Sequence, residues 1–147
     1  MVEMTPAILE KLNNFCAAAY PREACGYLLG RKTNSVWEVH SLHAGTNLSP
    51  VEVRDRFELD PEERGCVEKL ARELGVEIIG FYHSHPDHDV YFSETDLKNS
   101  EEYQWGRPWV PPTFAYVVLS VHAGTVQSIG AFQVFDGESQ NLIFKIK

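Results

Sequence analysis

VEIIGFY, residues 76–82, is a nearly continuous apolar run, and HSHPDHD (83–89) directly after it is as polar as the run is apolar. Loss of alternation marks a central strand covered on both faces, because neither side meets water. The segment before it reads as a helix. Asp60-Pro61-Glu62-Glu63 offers Asp60 as N-cap and Glu63 at N3, and Gly75 stands where a C′ glycine is expected. Cys66, Leu70 and Leu74 form the apolar stripe expected to face the core. A helix feeding a buried strand points to layered α/β architecture.

Further toward the N-terminus, VEVRDRFEL (51–59) alternates like a strand. ACGYLLGR (24–31) and SVWEVHSL (35–42) read as a hairpin around a KTN turn. Thr5-Pro6 is an N-cap and N1 pair, and Ile8, Leu9, Leu12, Phe15, Cys16 and Ala19 recur at helical spacing. A helix over 6–20 is expected, ended by Pro21. Toward the C-terminus, Ser93 opens a third helix over roughly 94–105, followed by a Pro/Trp-rich loop, WGRPWVPP (105–112). FAYVVLSV (114–121), VQSIGAFQVF (126–135) and LIFKI (142–146) read as strands separated by glycine-containing turns. With no repeat, linker or low-complexity stretch, 1–147 is expected to be one α/β (α+β) domain, a mixed central sheet flanked by helices.

The chain of 147 residues is long enough to bury a core without disulfide or metal staples. A net charge of −8 argues against a nucleic-acid partner, since phosphate binding needs a basic face. Cys16, Cys25 and Cys66 are widely spaced, odd in number and form no CxxC pair, so they read as reduced thiols of a cytosolic protein. MVEMTPAILEKL lacks a basic region followed by an apolar one, and no apolar run approaches the roughly 20 residues of a membrane span. A soluble cytoplasmic protein with no membrane partner is expected.

His83 and His85 stand at i and i+2 just after the buried strand, where alternate side chains share a face and both imidazoles can converge. Histidine nitrogen is a common zinc ligand, and catalytic zinc sites use three protein ligands and a water. An isolated HxH can equally end a strand at a polar surface. Asp87, His88, Asp89 and Asp96 are all candidates for a third ligand. Asp87 and Asp89 would need a tight loop to reach back past Pro86, whereas Asp96 falls in the first turn of the next helix. Ser93-x-x-Asp96 also resembles a capping box, which needs no metal. Glu23, read alone, is a solvated residue between a helix and a strand. Cys25, two residues on, is expected to pack in the core, and His40, His43 and His122 to be surface or structural.

His83-Ser84-His85-Pro86 followed, after six residues, by Ser93-Glu94-Thr95-Asp96 resembles the HxH-x7-S-x2-D signature of the JAMM (MPN+) metalloproteases without a gap. PREACGYLLG (21–30) is similar to that family's glutamate-bearing strand, and Asn47 in GTN and RFELDPEE (56–63) resemble its bacterial branch, so the likeness covers most of the chain. The resemblance implies a single MPN/JAMM domain related in fold to cytidine deaminases. It also implies one zinc per chain, held by His83, His85, Asp96 and a water. Zinc would lower the pKa of that water from about 15.7 toward 7. Glu23 would then act as acid/base, and the Ser93 hydroxyl would help stabilise the oxyanion.

The family's substrates are amide or isopeptide bonds after the Gly-Gly terminus of ubiquitin-like proteins. The compact chain looks most like bacterial members that process small β-grasp sulfur carriers. His88 and Asp89 would lie at the site mouth. Trp105, Trp109, Pro108, Pro111 and Pro112 would line a substrate groove or cover core. Two readings compete. A non-catalytic MPN-type scaffold would be expected to lack one of Glu23, His83, His85, Ser93 or Asp96. A two-His-one-carboxylate oxygenase expects its carboxylate at another offset and a distant third histidine. A zinc deaminase would need H-x-E and P-C-x-x-C, both absent from the sequence.

Overall fold

The computed structural model describes residues 1–50, 57–94, 96–98, 114–135 and 137–147. Its elements, in chain order, are β1 (Val2–Met4), α1 (Pro6–Ala19), β2 (Cys25–Thr33), β3 (Val36–Ala44), α2 (Pro61–Glu73), β4 (Glu77–Pro86), β5 (Ala115–His122), β6 (Thr125–Phe135), β7 (Glu138–Leu142) and β8 (Phe144–Ile146). A further helical turn begins at Glu94, where the Leu97 N–H donates to the Ser93 carbonyl at 2.9 Å.

The strands form one mixed sheet in the order β7-β6-β5-β4-β2-β3-β1-β8. The apolar run 76–82 lies in its middle as expected, with β4 antiparallel to β2 and parallel to β5. β2 and β3 make the expected hairpin, and Asn34 takes the left-handed φ of 55° at its turn, a conformation asparagine tolerates.

The ends of the sheet depart from the sequence reading. LIFKI is not one strand: it is cut at Ile143, and its halves sit at opposite ends of the strand order. Since β7 and β8 are joined by a single residue, the sheet must roll until its two ends meet there. β1, three residues long, closes the roll by pairing in parallel with both β3 and β8.

The rolled sheet encloses α1, which carries the expected face of Ile8, Leu9, Leu12, Phe15, Cys16 and Ala19 into a core with Leu28, Tyr82, Val117 and Leu119. Thr5 caps this helix, its hydroxyl accepting the Ile8 N–H, with Pro6 in the first turn. A second core on the outer face joins Tyr27, Leu29, Phe81, Tyr116 and Val118 to α2. Here the structure corrects the expected stripe. Val67 and Ala71 are the buried residues of α2 and Leu70 is partly buried, whereas Cys66 and Leu74 face solvent. Small side chains one turn apart let the helix lie close on β2 and β4.

Asp60 does cap α2, accepting the Glu62 N–H at 3.0 Å. Glu63 does not return to it as a capping box would. Its carboxylate accepts the backbone N–H and the hydroxyl of Thr46 instead, at 3.2 and 2.9 Å. The strand expected over 51–59 falls mostly outside the described residues, as does the WGRPWVPP loop. Of the former, Leu59 forms an isolated antiparallel bridge with Asn47. Among the described residues, no helix is long and apolar enough to cross a membrane.

Burial holds the Cys16 and Cys25 thiols protonated, each pushed up to about 12. Cys66 is exposed. At about pH 8 a maleimide should therefore label one thiol of the native protein, Cys66, and all three after unfolding. Rapid native labelling at Cys16 or Cys25, read by peptide mass, would contradict this packing.

Candidate metal centre

β4 carries Phe81, His83 and His85 on one face by alternation, the outer one. Both histidines are buried, and their Nε2 atoms lie 3.2 Å apart. The polypeptide then turns at Asp87 (φ 58°) and crosses the face of the sheet to the helical turn at 94. That turn delivers Asp96, buried, with Oδ1 at 3.0 Å from His83 Nε2 and Oδ2 at 3.3 Å from His85 Nε2. Burial alone would raise the Asp96 pKa. The neighbouring His83, with hydrogen bonds from His83, His85 and the Ser93 N–H, outweighs it and holds the carboxyl well below the usual carboxylate range.

The capping-box reading of Ser93 and Asp96 is realised. The Ser93 N–H donates to Asp96 Oδ2 at 2.9 Å, and the Asp96 N–H donates to Ser93 Oγ at 3.0 Å. The cap aims the carboxylate at the histidines, and Ser93 Oγ, as an acceptor here, keeps its own O–H to donate. Both local readings of this pair therefore hold at once.

Glu23 is the fourth member. It is 4 % exposed, not solvated as its local sequence suggests. One ligand atom from each of Glu23, His83 and His85 falls within 4.8 Å of the others. The register Cys25↔His83 between β2 and β4 brings Glu23 beside the end of β4. Two hydrogen bonds lock this junction: the Ala24 N–H donates to Ser84 Oγ at 2.7 Å, and the Ser84 N–H to the Ala24 carbonyl at 3.0 Å. Glu23, His85, His88, Tyr91, Ser93 and Asp96 line a cavity of about 210 Å³.

Three supporting groups carry no local sequence signal for their roles. The Asp89 carbonyl lies 3.0 Å from His85 Nδ1. A carbonyl only accepts, so Nδ1 carries a proton and donates it there, and Nε2 is the atom turned toward the cluster. Phe57 stacks on His83 at 4.7 Å between ring centroids, fixing that ring from the other side. Asn47 anchors the main chain of Glu23. Its Nδ2 donates to the Glu23 carbonyl at 3.1 Å, while its Oδ1 accepts the N–H of Ser49 (3.0 Å), the hydroxyl of Ser49 (2.7 Å) and the N–H of Glu58 (3.1 Å).

The other loop acids have structural tasks. Asp87 accepts the Tyr20 hydroxyl at 2.7 Å and the Ala123 N–H at 3.0 Å, pinning the turn to α1 and to the β5–β6 connection. His88 lines the cavity wall, as expected for a residue at the mouth.

The donor set suits a tetrahedral ion. Bonds of about 2.0–2.1 Å to such an ion leave ligand atoms about 3.3 Å from one another. His83 Nε2 and His85 Nε2 lie 3.2 Å apart, and each has its own Asp96 oxygen nearby, Oδ1 at 3.0 Å from His83 and Oδ2 at 3.3 Å from His85. Two imidazoles facing one carboxylate supply the nitrogen and oxygen chemistry that zinc takes.

The chain is similar to several known proteins. The chain is 32% identical over 114 residues to the desampylase of Haloferax volcanii, covering 78% of this chain and 73% of that one. It is 41% identical over 63 residues to the desampylase of Pyrococcus furiosus, covering 43% and 41% of the two chains. Among solved structures, a protein of Desulfitobacterium hafniense superposes with a TM-score of 0.82 at 23% identity, over 100% of this chain and 93% of that one. A protein of Salinibacter ruber superposes with a TM-score of 0.71 at 32% identity, over 99% and 91%. The family model of prokaryotic homologues of the JAB domain matches residues 5–131, and the chain belongs to that family.

Proposed function

We propose that this protein is a zinc-dependent hydrolase that cleaves an amide or isopeptide bond after the C-terminal Gly-Gly of a ubiquitin-like β-grasp protein, a bacterial sulfur carrier being the substrate we favour. The observation that carries this reading is the convergence of Glu23, His83, His85 and Asp96, all buried, at the end of β4. The relatives named desampylase support a hydrolase acting on modifier conjugates.

In this reading His83, His85 and Asp96 hold the ion, with His85 oriented by the Asp89 carbonyl and Asp96 by its cap. A bound zinc would supply an activated water and polarise the scissile carbonyl at neutral pH. Glu23 takes up the water's proton and delivers it to the leaving amine. Ser93 donates its free O–H to the developing oxyanion, the preorganised donation that hydrolases rely on. Phe57 and Tyr91, ringed about the histidines, shield the cluster from bulk water. The free thiols fit a reducing compartment, so we place the protein in the cytoplasm.

Asn47 acts through Glu23. Asn47→Ala should lower kcat about tenfold or more, with KM little changed, by letting the Glu23 main chain drift. It should also cost stability, about 0.5–1.5 kcal/mol for each hydrogen bond lost to Ser49 and Glu58. Asn47→Asp keeps the acceptor and loses the donor to Glu23, so it should recover stability without recovering rate. Melting curves beside steady-state kinetics check both.

The substrate test pairs metal analysis with cleavage of a β-grasp protein whose Gly-Gly terminus is amide-linked to an amino acid or peptide. The expected result is about one zinc per chain and release of the adduct. Hydrolysis of short amides without cleavage of any such fusion would overturn the substrate class and leave the metal site standing.

A further inference from the structure

The loop from Asp87 to Ser93 divides its side chains by alternation. Val90 seats on Gly130 of β6, so closely that a Cβ there would lie 2.5 Å from Val90 Cγ1. Phe92 packs against Tyr116 and Phe132, with ring centroids 5.3 and 5.5 Å away. Between these anchors Tyr91 points the other way. It is 50% exposed, its ring 4.8 Å from that of His85. It lines the catalytic cavity and also a second, larger one of about 520 Å³. Val90, Tyr91 and Phe92 form one wall of that groove, and Ser139, Asn141 and Leu142 of β7 stand across from them. No described residue lining it carries a formal charge, in a chain of net charge −8.

We propose that this groove is a substrate-docking site, receiving an uncharged, extended segment of the conjugated protein that flanks the scissile bond, with Tyr91 as the residue that passes the segment into the catalytic cavity. The inference rests on the hydrolase reading above. Three observations favour this occupant. Tyr91 stands in the wall of both the groove and the catalytic cavity, so whatever lies in the groove lies one side chain away from the metal cluster. β7 ends the strand order and, among the described strands, pairs with β6 alone, and extended peptides add to terminal strands by combining main-chain hydrogen bonds with side-chain pockets. The described lining offers no counter-charge to an ionic side chain, which favours uncharged segments.

Ser139 and Asn141 alternate on exposed positions of β7, so Ser139→Arg and Asn141→Arg bring charge and bulk into the groove from a surface strand. Neither residue lines the catalytic cavity. The zinc-loaded protein is assayed on a short Gly-Gly amide and on a β-grasp protein amide-linked through its Gly-Gly terminus to a peptide, with melting curves as the folding check. The expected result is a fall of about tenfold in kcat/KM for the protein conjugate relative to the short amide, carried by KM, in both variants. Tyr91→Phe should keep that ratio and Tyr91→Ala should lower it. A ratio unchanged in both arginine variants overturns the groove while leaving the hydrolase reading intact. A wild type that hydrolyses the short amide but not the conjugate overturns the proposed substrate, and the groove with it.

Discussion

Glu23→Gln should lower kcat by about 10²- to 10⁴-fold while zinc content stays at about one ion per chain, the range that general acid–base groups contribute. Glutamine has the shape of glutamate and cannot take up the proton. The site around it should survive the exchange because the main chain at Glu23 is held by neighbouring residues. The Glu23 carbonyl is held by Asn47, and the next residue, Ala24, is bonded in both directions to Ser84. A rate loss with metal and melting temperature retained would assign Glu23 to proton transfer. If zinc were lost with the rate, Glu23 would be a ligand, as its closeness to both histidines also allows. The two outcomes separate on metal analysis alone.

The second large effect is expected at Asp96. Asp96→Ala removes the oxygens that lie 3.0 and 3.3 Å from the two imidazoles and also the acceptor of the Ser93 N–H. Zinc affinity should fall by more than the roughly 10–100-fold that loss of an outer-shell partner costs, and hydrolysis should disappear with it. The wild type should gain melting temperature as zinc is added, because an ion that binds only the folded chain stabilises it by mass action. Asp96→Ala should show no such gain. Ser93→Ala is the contrasting variant. It should keep the zinc-dependent gain and lose about 10²–10³ in kcat, as removal of an oxyanion donor does. Equal zinc titrations for wild type and Asp96→Ala would remove Asp96 from the ligand set.

The buried strand 76–82, the α1 face and the hairpin were legible because each repeats a local rule over seven or more residues. β1 and β8 were not. Three-residue strands carry too little pattern, and they exist because their backbones find partners across the rolled sheet. α2 shows the same limit on a finer scale. Its stripe was read through the larger apolar side chains, but close approach to β2 and β4 selected Val67 and Ala71. In the site, spacing put His83 and His85 on one strand face and left Asp87, His88, Asp89 and Asp96 open as a third ligand; the family resemblance selected Asp96 and Ser93. Glu23 carried no local signal and rested on the family resemblance. Its burial depends on the pairing of β2 with β4, a contact between residues sixty positions apart.

The sequence by itself determined the chemistry on offer: two imidazoles on one strand face, a carboxylate and a hydroxyl at a helix start, and no charge balance suited to nucleic acid. Those are properties of residue type and of short-range periodicity, which the backbone enforces locally. The tertiary structure alone decided that these groups meet. It folded Asp96 back over the strand end and, by pairing β2 with β4, set Glu23 beside it. It set Asn47, Phe57 and the Asp89 carbonyl behind them and laid Tyr91 between the cluster and a second groove. The physical reason is that convergence is set by strand register and by the roll of the sheet, which depend on pairings across the whole chain.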